Sequence, residues 1–127
     1  MTTTTTTPKQ SIQLGRYGEA CAARYLTREA GMVLLDRNWR CEHGEIDLVL
    51  RDGRVLVICE VKTRSSHRFG EPLEAVTETK TERLKVLAAA WCEGQGVRVP
   101  DIRIDLVGVL IDGSGVPRIE HSKGVGW

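Results

Sequence analysis

Two stretches of the chain carry apolar residues at helical spacing. The first runs from Ser11, a suitable N-cap, to about Ala30, and Gly31 follows as a helix stop. The second runs from about Thr77 to Glu93. The predicted apolar faces consist of Leu14, Tyr17, Cys21 and Tyr25, with Ala22 and Leu26 beside them, in the first helix, and of Leu84, Leu87, Ala88 and Trp91 in the second.

Five shorter apolar segments predict β-strands, at residues 32–40, 45–50, 54–62, 102–111 and 116–121. Asp52-Gly53 is a strong hairpin signal between the second and third strands. The second helix separates the third and fourth strands, so these two are expected to lie parallel through a right-handed crossover. The pattern predicts an α/β fold with a mixed sheet and the order α-β-β-β-α-β-β.

The hairpin is expected to have two unlike faces. If Asp52-Gly53 is a two-residue type I′ turn, Leu50 pairs with Val55 and Glu45 with Glu60. Side chains alternate along a strand, so one face is wholly apolar: Ile46, Leu48, Leu50, Val55, Val57, Cys59 and Val61. The other face holds Glu45, Asp47, Val49, Leu56, Ile58, Glu60 and Lys62.

Three of the four charged residues on the second face, Asp47, Glu60 and Lys62, suggest metal-assisted attack of water on a phosphodiester. Asp47 lies diagonal to Glu60 in this register, at roughly 7–8 Å between backbone positions, and oxygen-only ligands suit Mg²⁺ or Mn²⁺. Lys62, two residues after Glu60, could hold a water or neutralise a developing oxyanion. The alternative is a half-solvated sheet face with a Glu60–Lys62 ion pair.

Composition limits the function classes. The chain has 127 residues, which favours one domain (residues 11–127) after a threonine-rich tail (residues 1–10) that is expected to be disordered. The net charge of +1 lacks the strong basic excess that by itself indicates nucleic-acid binding. No apolar run approaches the roughly 20 residues of a membrane span, and we expect a cytoplasmic protein. The four separated cysteines favour reduced thiols over a zinc site.

Several motifs together resemble one family. They are Gly15-x-x-Gly18-Glu19, Asn38-x-Arg40 followed by Gly44-Glu45-Ile46-Asp47-Leu48, and Glu60-Val61-Lys62-x-Arg64. In this order they resemble the YraN family, uncharacterised protein family 0102, a distant relative of archaeal Holliday-junction resolvases in the PD-(D/E)XK nuclease superfamily. The resemblance implies a restriction-endonuclease-like core and a Mg²⁺- or Mn²⁺-dependent endonuclease that cleaves DNA, including branched or single-stranded forms.

The resemblance also implies roles for individual residues. Asp47 and Glu60 would bind the metal, with the backbone carbonyl of Val61 as a further ligand. Lys62 would be the catalytic lysine, and Glu19 on the first helix would complete the site as a catalytic residue and a further metal ligand. Glu45 would support the site without binding the metal itself.

Basic residues around the predicted site could hold DNA phosphates. They are Arg64, Arg68, Lys80 and Arg83; an ordinary solvated surface is the alternative, and for Arg37 that alternative is preferred. Resolvase-type enzymes act as dimers, so a homodimer is an expectation. A second function from another class is a non-catalytic nucleic-acid- or partner-binding module that retains the nuclease fold.

Overall fold

The computed structural model describes residues 8–65, 78–113 and 115–125. Its seven elements are α1 (Pro8–Arg28), β1 (Val33–Cys41), β2 (Gly44–Asp52), β3 (Val55–Arg64), α2 (Glu78–Gln95), β4 (Asp101–Leu110) and β5 (Arg118–Ser122). The predicted order α-β-β-β-α-β-β is confirmed. Residues 1–7 of the predicted tail lie outside the described residues, as do Arg68 and the rest of the loop before α2.

The structure changes the predicted start of α1 and confirms its predicted stop. The helix begins at Pro8, so Ser11 lies inside it and is not its N-cap. At the other end the predicted stop is confirmed: Gly31 has a φ of +72°, and Met32 N–H donates to Leu26 O at 2.9 Å. A glycine with positive φ and a backward bond of this kind satisfies the last carbonyls of a helix.

The sheet has the order β1-β2-β3-β4-β5, which is the order of the strands along the chain. All neighbouring strands are antiparallel except β3 and β4, which are parallel, as predicted. The connection between β3 and β4 contains α2, as parallel neighbours require. The α/β class with a mixed sheet is therefore confirmed.

Both faces of the sheet are covered, each by one helix. The α1 face is packed by Ala22, Ala23, Leu26, Met32, Leu48, Leu50, Val57, Cys59, Val107 and Val109. The α2 face is packed by Ile46, Val49, Leu56, Ile58, Leu84, Leu87, Ala88, Trp91 and Ile104. The alternative of a half-solvated hairpin face is wrong, because Val49, Leu56 and Ile58 on that face are buried under α2. The predicted inner face of α2 is confirmed.

The buried stripe of α1 is made of smaller residues than predicted. Ala22, Ala23 and Leu26 are buried, whereas Tyr17 is 49% exposed. Gly18 allows this close approach, since a Cβ built there would collide with the side chain of Thr63 on β3. A bulky stripe would hold the helix away from the sheet, so the small residues bring α1 down onto β3.

The hairpin register differs from the prediction by two residues. Asp52 pairs with Val55, and the turn is formed by Gly53 and Arg54. Gly53 has a φ of +61°, whereas Arg54 is not among the described residues with positive φ. This combination is typical of a type II′ turn, which needs glycine at its first central position. A shift by two leaves each side chain on its predicted face.

One part of the predicted face assignment is wrong. Ile46 packs under α2, while Leu48 and Leu50 pack under α1. In a regular strand residues 46 and 48 would share a face, so the alternation breaks at Asp47. The break lies where the charged residues of the hairpin gather.

Two further findings concern thiols and membranes. All four cysteines are free, as predicted; Cys59 is buried, and Cys21, Cys41 and Cys92 are partly exposed. Within the described residues, neither helix has the length and apolar character needed to cross a lipid bilayer.

Candidate functional site

The site forms where β2 and β3 separate. The last ladder pair is Leu48 with Cys59, and one step beyond it stand Asp47 and Glu60. Here Val61 N–H donates to Asp47 Oδ2 at 2.8 Å, so a side-chain carboxylate takes the place of a strand carbonyl. The backbone of Val61, whose carbonyl is a predicted ligand, thus lies directly against Asp47.

Glu60 lies beside this gap and contacts α2. Its Oε1 forms an ion pair with Lys80 Nζ at 3.0 Å, and the two side chains are only 25% and 34% exposed. Its Oε2 is buried and has no hydrogen-bond partner among the described residues. Buried carboxylate oxygens are normally hydrogen-bonded, so Glu60 has an unused ligand atom.

Glu19 approaches the gap from α1. It follows Gly18, whose contact with Thr63 brings this turn of the helix close to β3. Glu19 Oε2 is also buried without a hydrogen-bond partner in the described part of the chain. Burial and the charge of Glu45 raise the pKa of Glu19. The helix thus supplies a second carboxylate with an unused oxygen.

Asp47 is a largely buried carboxylate on which three other carboxylates act. Burial raises its pKa to about 6, opposed by the hydrogen bond from Val61 and reinforced by the charges of Glu19, Glu60 and Glu45. Negative charges that raise one another's pKa are close together in a poorly solvated place. The structure therefore brings the predicted residues Glu19, Asp47 and Glu60 together, with Glu45 beside them.

Arginines surround this acidic centre on the α1 and β1 side. Arg40 Nη2 lies 3.4 Å from Glu45 Oε2 across the β1–β2 ladder. Arg16 and Arg37 lie near enough to Glu19 to lower its pKa. The sequence favoured an ordinary surface role for Arg37 and did not single out Arg16. A charge pattern alone could not assign them, because helix and strand meet only in the tertiary structure.

Asn38 is a further residue that the sequence analysis did not assign to the site. Its side-chain amide acts as a hydrogen-bond donor toward Glu19 and lowers the pKa of that carboxyl. Its φ is +49°, the single positive value of a non-glycine residue in the described chain. The available signal was the motif Asn38-x-Arg40, together with the tolerance of asparagine for the left-handed region.

The predicted basic residues take different positions. Lys62 is exposed on β3, two residues beyond Glu60, and Arg64 is half-buried at the end of the same strand. Arg83 is exposed on α2, and its Cδ lies near Gly44 at the start of β2. Lys80 contacts Glu60, as described above. The start of α2 therefore lies at the carboxylate end of the hairpin, as predicted.

The acidic residues of the site fit a divalent metal in their chemistry but not as a ready-made ligand set. In favour, the donors are all oxygens, two of them buried and without partners, which suits Mg²⁺ or Mn²⁺. Against a ready-made site, no three His, Cys, Asp or Glu side chains of the described ranges form a complete metal-binding group. The donor atoms therefore suit a hard divalent cation, but the described side chains as they stand do not form a complete ligand set.

A second charged cluster lies on β4 and β5, where Asp105 is paired with Cys59 of β3. Asp105 is fully buried and accepts two bonds from Arg103, at 2.8 and 3.0 Å, and one from Gly124 N–H at 3.1 Å. His121 Nε2 lies 2.8 Å from its other side. Burial alone would raise the pKa of Asp105, but these hydrogen bonds lower it below its ordinary value. Arg103 and Asp105 thus form an ion pair whose carboxylate is fully buried.

Comparison with known proteins identifies relatives along most of the chain. A UPF0102 protein of Nocardioides is 61% identical over 113 residues, covering 89% of this chain and 90% of the relative. UPF0102 proteins of Arthrobacter and Streptomyces coelicolor are each 56% identical, covering 89% and 88% of this chain and 95% and 87% of the relatives.

A solved structure is similar at a much lower level. It is SfsA of Pyrococcus furiosus in complex with Ca²⁺, with 12% identity and a TM-score of 0.37. The match covers 91% of this chain and 64% of that chain, so this chain spans less than two thirds of that protein.

The profile of UPF0102, described as an uncharacterised protein family, matches residues 18–109. The chain is thus a member of the uncharacterised protein family UPF0102.

Proposed function

We propose that this protein is a Mg²⁺- or Mn²⁺-dependent endonuclease that hydrolyses phosphodiester bonds of DNA, including branched or single-stranded forms. The observation that carries the proposal is the convergence of Glu19, Asp47 and Glu60 where two strands separate, with two buried carboxylate oxygens lacking partners. The motif resemblance to the resolvase branch of the PD-(D/E)XK nucleases supports DNA as the substrate.

Each residue has a task in this reaction. Asp47, Glu60 and the Val61 carbonyl hold the metal, and Glu19 completes the acidic set from the helix. A divalent metal supplies charge stabilisation at the phosphate and lowers the pKa of a bound water. Lys62 orients the attacking water or neutralises the developing negative charge. Asp47 has its pKa raised to about 6 without metal, so cation binding favours its ionised form.

The outer basic residues bind the substrate. Arg64, Arg68, Lys80 and Arg83 contact phosphates from the β3 and α2 side, and they position DNA without reading its sequence. Arg68 enters this set by sequence alone, since it lies outside the described residues. A surface of this kind makes binding depend on salt concentration.

The test is cleavage of labelled four-way junction, flap and linear DNA with Mg²⁺, Mn²⁺ or EDTA. Asp47→Asn and Glu60→Gln keep the side-chain size and should lower the cleavage rate by about 100-fold or more, since even outer partners of metal ligands cost about 10–100-fold in affinity or activity. Asp101→Asn and Glu82→Gln alter exposed acids on β4 and α2 and serve as matched controls.

Calorimetric titration with Mn²⁺ provides a second measurement that does not need the substrate. Wild type should bind Mn²⁺, and Asp47→Asn should lose most of that affinity. Cleavage that is insensitive to EDTA and to both site substitutions would show that the carboxylates are not the catalytic centre.

The Lys80–Glu60 ion pair favours one alternative, a non-catalytic nucleic-acid- or partner-binding module. Lys80 already neutralises Glu60 at 3.0 Å, and such a pair can hold the carboxylate in a site that no longer binds metal. This module would bind DNA without cleaving it, and its affinity would be unchanged by Asp47→Asn. The same titrations separate the two functions.

A further inference from the structure

The backbone of Asn38 is strained at a defined place. Its φ of +49° lies in the left-handed region, where no other non-glycine residue of the described chain is found. Asn38 is within β1, between the ladder pairs Arg37 with Leu48 and Trp39 with Ile46. Residues held in such conformations cluster at functional sites, and strand interiors rarely contain them.

The position of Asn38 links two of the site carboxylates. The residue that occupies the intervening position on β2 is Asp47, the point at which face alternation breaks. On the other side, the Asn38 amide donates toward Glu19 of α1. Asn38 is exposed, so burial in the core does not explain its conformation.

We propose that Asn38 is a positioning residue: its left-handed backbone turns the amide toward Glu19 and thereby holds that carboxylate against Asp47 for joint metal binding. This inference rests on the proposed function for the metal. It does not require Asn38 to touch the metal or the substrate.

The contact itself can be tested without metal. Asn38 is the single asparagine of the chain, so protein labelled with ¹⁵N-asparagine should give one pair of side-chain amide signals. In the apoprotein we expect slowed solvent exchange of one of these protons and a clear shift of its signal in Glu19→Ala. Glu29→Ala, at an exposed acid in the turn directly after the same helix, should leave both unchanged. Signals that do not respond to Glu19→Ala overturn the proposed contact.

The consequence for the metal is tested with two substitutions of Asn38. Asn38→Gly removes the amide and suits a positive φ, whereas Asn38→Ala removes the amide and keeps the strain. Both should weaken Mn²⁺ binding by roughly tenfold or more, the effect typical of losing a group that orients a ligand. Of these two variants, only Asn38→Ala should lower the midpoint of the unfolding transition, because glycine tolerates a positive φ and alanine does not.

Val33→Gly is the control for a purely structural effect. Val33 lies at the far end of β1, opposite Arg51, so glycine there should lower stability and leave Mn²⁺ affinity unchanged. An Asn38→Gly variant with wild-type affinity overturns the inference while the proposed function stands. If wild type itself binds no Mn²⁺, the proposed function is wrong, and the metal role of Asn38 is wrong with it; the labelled amide then decides the contact alone.

Discussion

Gly15 and Gly18 offer a matched pair for measuring how closely α1 must approach the sheet. Both lie inside the same helix, and alanine is favoured over glycine there by up to about 1 kcal/mol. A Cβ at Gly15 meets nothing within 4 Å, whereas one at Gly18 would lie 2.8 Å from Thr63 Cβ and closer still to its hydroxyl oxygen. The two substitutions therefore differ in the space available rather than in helix propensity.

The expected free energies follow from these contacts. Gly15→Ala should stabilise the fold by about 0.5–1 kcal/mol. Gly18→Ala has the same propensity gain but must move Thr63 or lift the helix, and overpacking of this kind costs about 1–3 kcal/mol. The difference between the two variants, about 1–3 kcal/mol, is the cost of the lost close approach.

Urea unfolding of both variants and of wild type measures this difference. Adding Thr63→Ala to Gly18→Ala removes the colliding atoms beyond Cβ and should recover part of the loss, which a double-mutant cycle quantifies. If Gly18→Ala were as stable as Gly15→Ala, the contact between α1 and Thr63 would not constrain the helix, and this account of how Glu19 reaches the site would fail.

Three further predictions concern charged side chains. Because the pKa of Asp47 is raised to about 6 in the folded protein, above the roughly 3.9 of an unfolded chain, its stabilising contribution is present below about pH 4. It is lost as the pH rises through about 6, so wild type should lose on the order of 1–2 kcal/mol more than Asp47→Asn between pH 4 and 7 in urea titrations. Lys80→Met leaves Glu60 without its cation and should cost about 1 kcal/mol, an effect that Lys80→Met combined with Glu60→Gln should reduce; equal losses in the single and double variants would argue against the pair. Asp105→Ala removes a fully buried carboxylate and should cost about 3–5 kcal/mol, whereas Asp101→Ala at an exposed position should change stability by less than about 0.5 kcal/mol.

The hydrophobic periodicity of the sequence was enough to predict the order of the elements and the buried face of α2. Strand alternation and the hairpin signal predicted most of the two faces, because a register error of two residues leaves side-chain orientation unchanged. The turn type could not be deduced from Asp52-Gly53, since Gly53 can occupy either central position. The actual register, with Asp52 paired to Val55, required the folded backbone.

The candidate site was predictable only in part. Its carboxylates follow from motifs that lie on separate segments, and the structure brings Glu19, Asp47 and Glu60 together. The break in alternation at Asp47 could not be foreseen, because periodicity assumes an unbroken strand. The ion pair of Lys80 with Glu60 and the nearness of Arg37 to Glu19 depend on how helices and strands pack, which no local pattern encodes.

The packing of α1 has a consequence for the order of folding. The helix precedes the six other described elements, yet its buried face rests partly on Val107 and Val109 of β4, the sixth element in sequence. Contacts between residues so distant in sequence form late and slow the search for the native state. During synthesis the apolar stripe of α1 is fully covered only after β4 has emerged. The acidic centre that depends on this helix is therefore assembled among the last parts of the molecule.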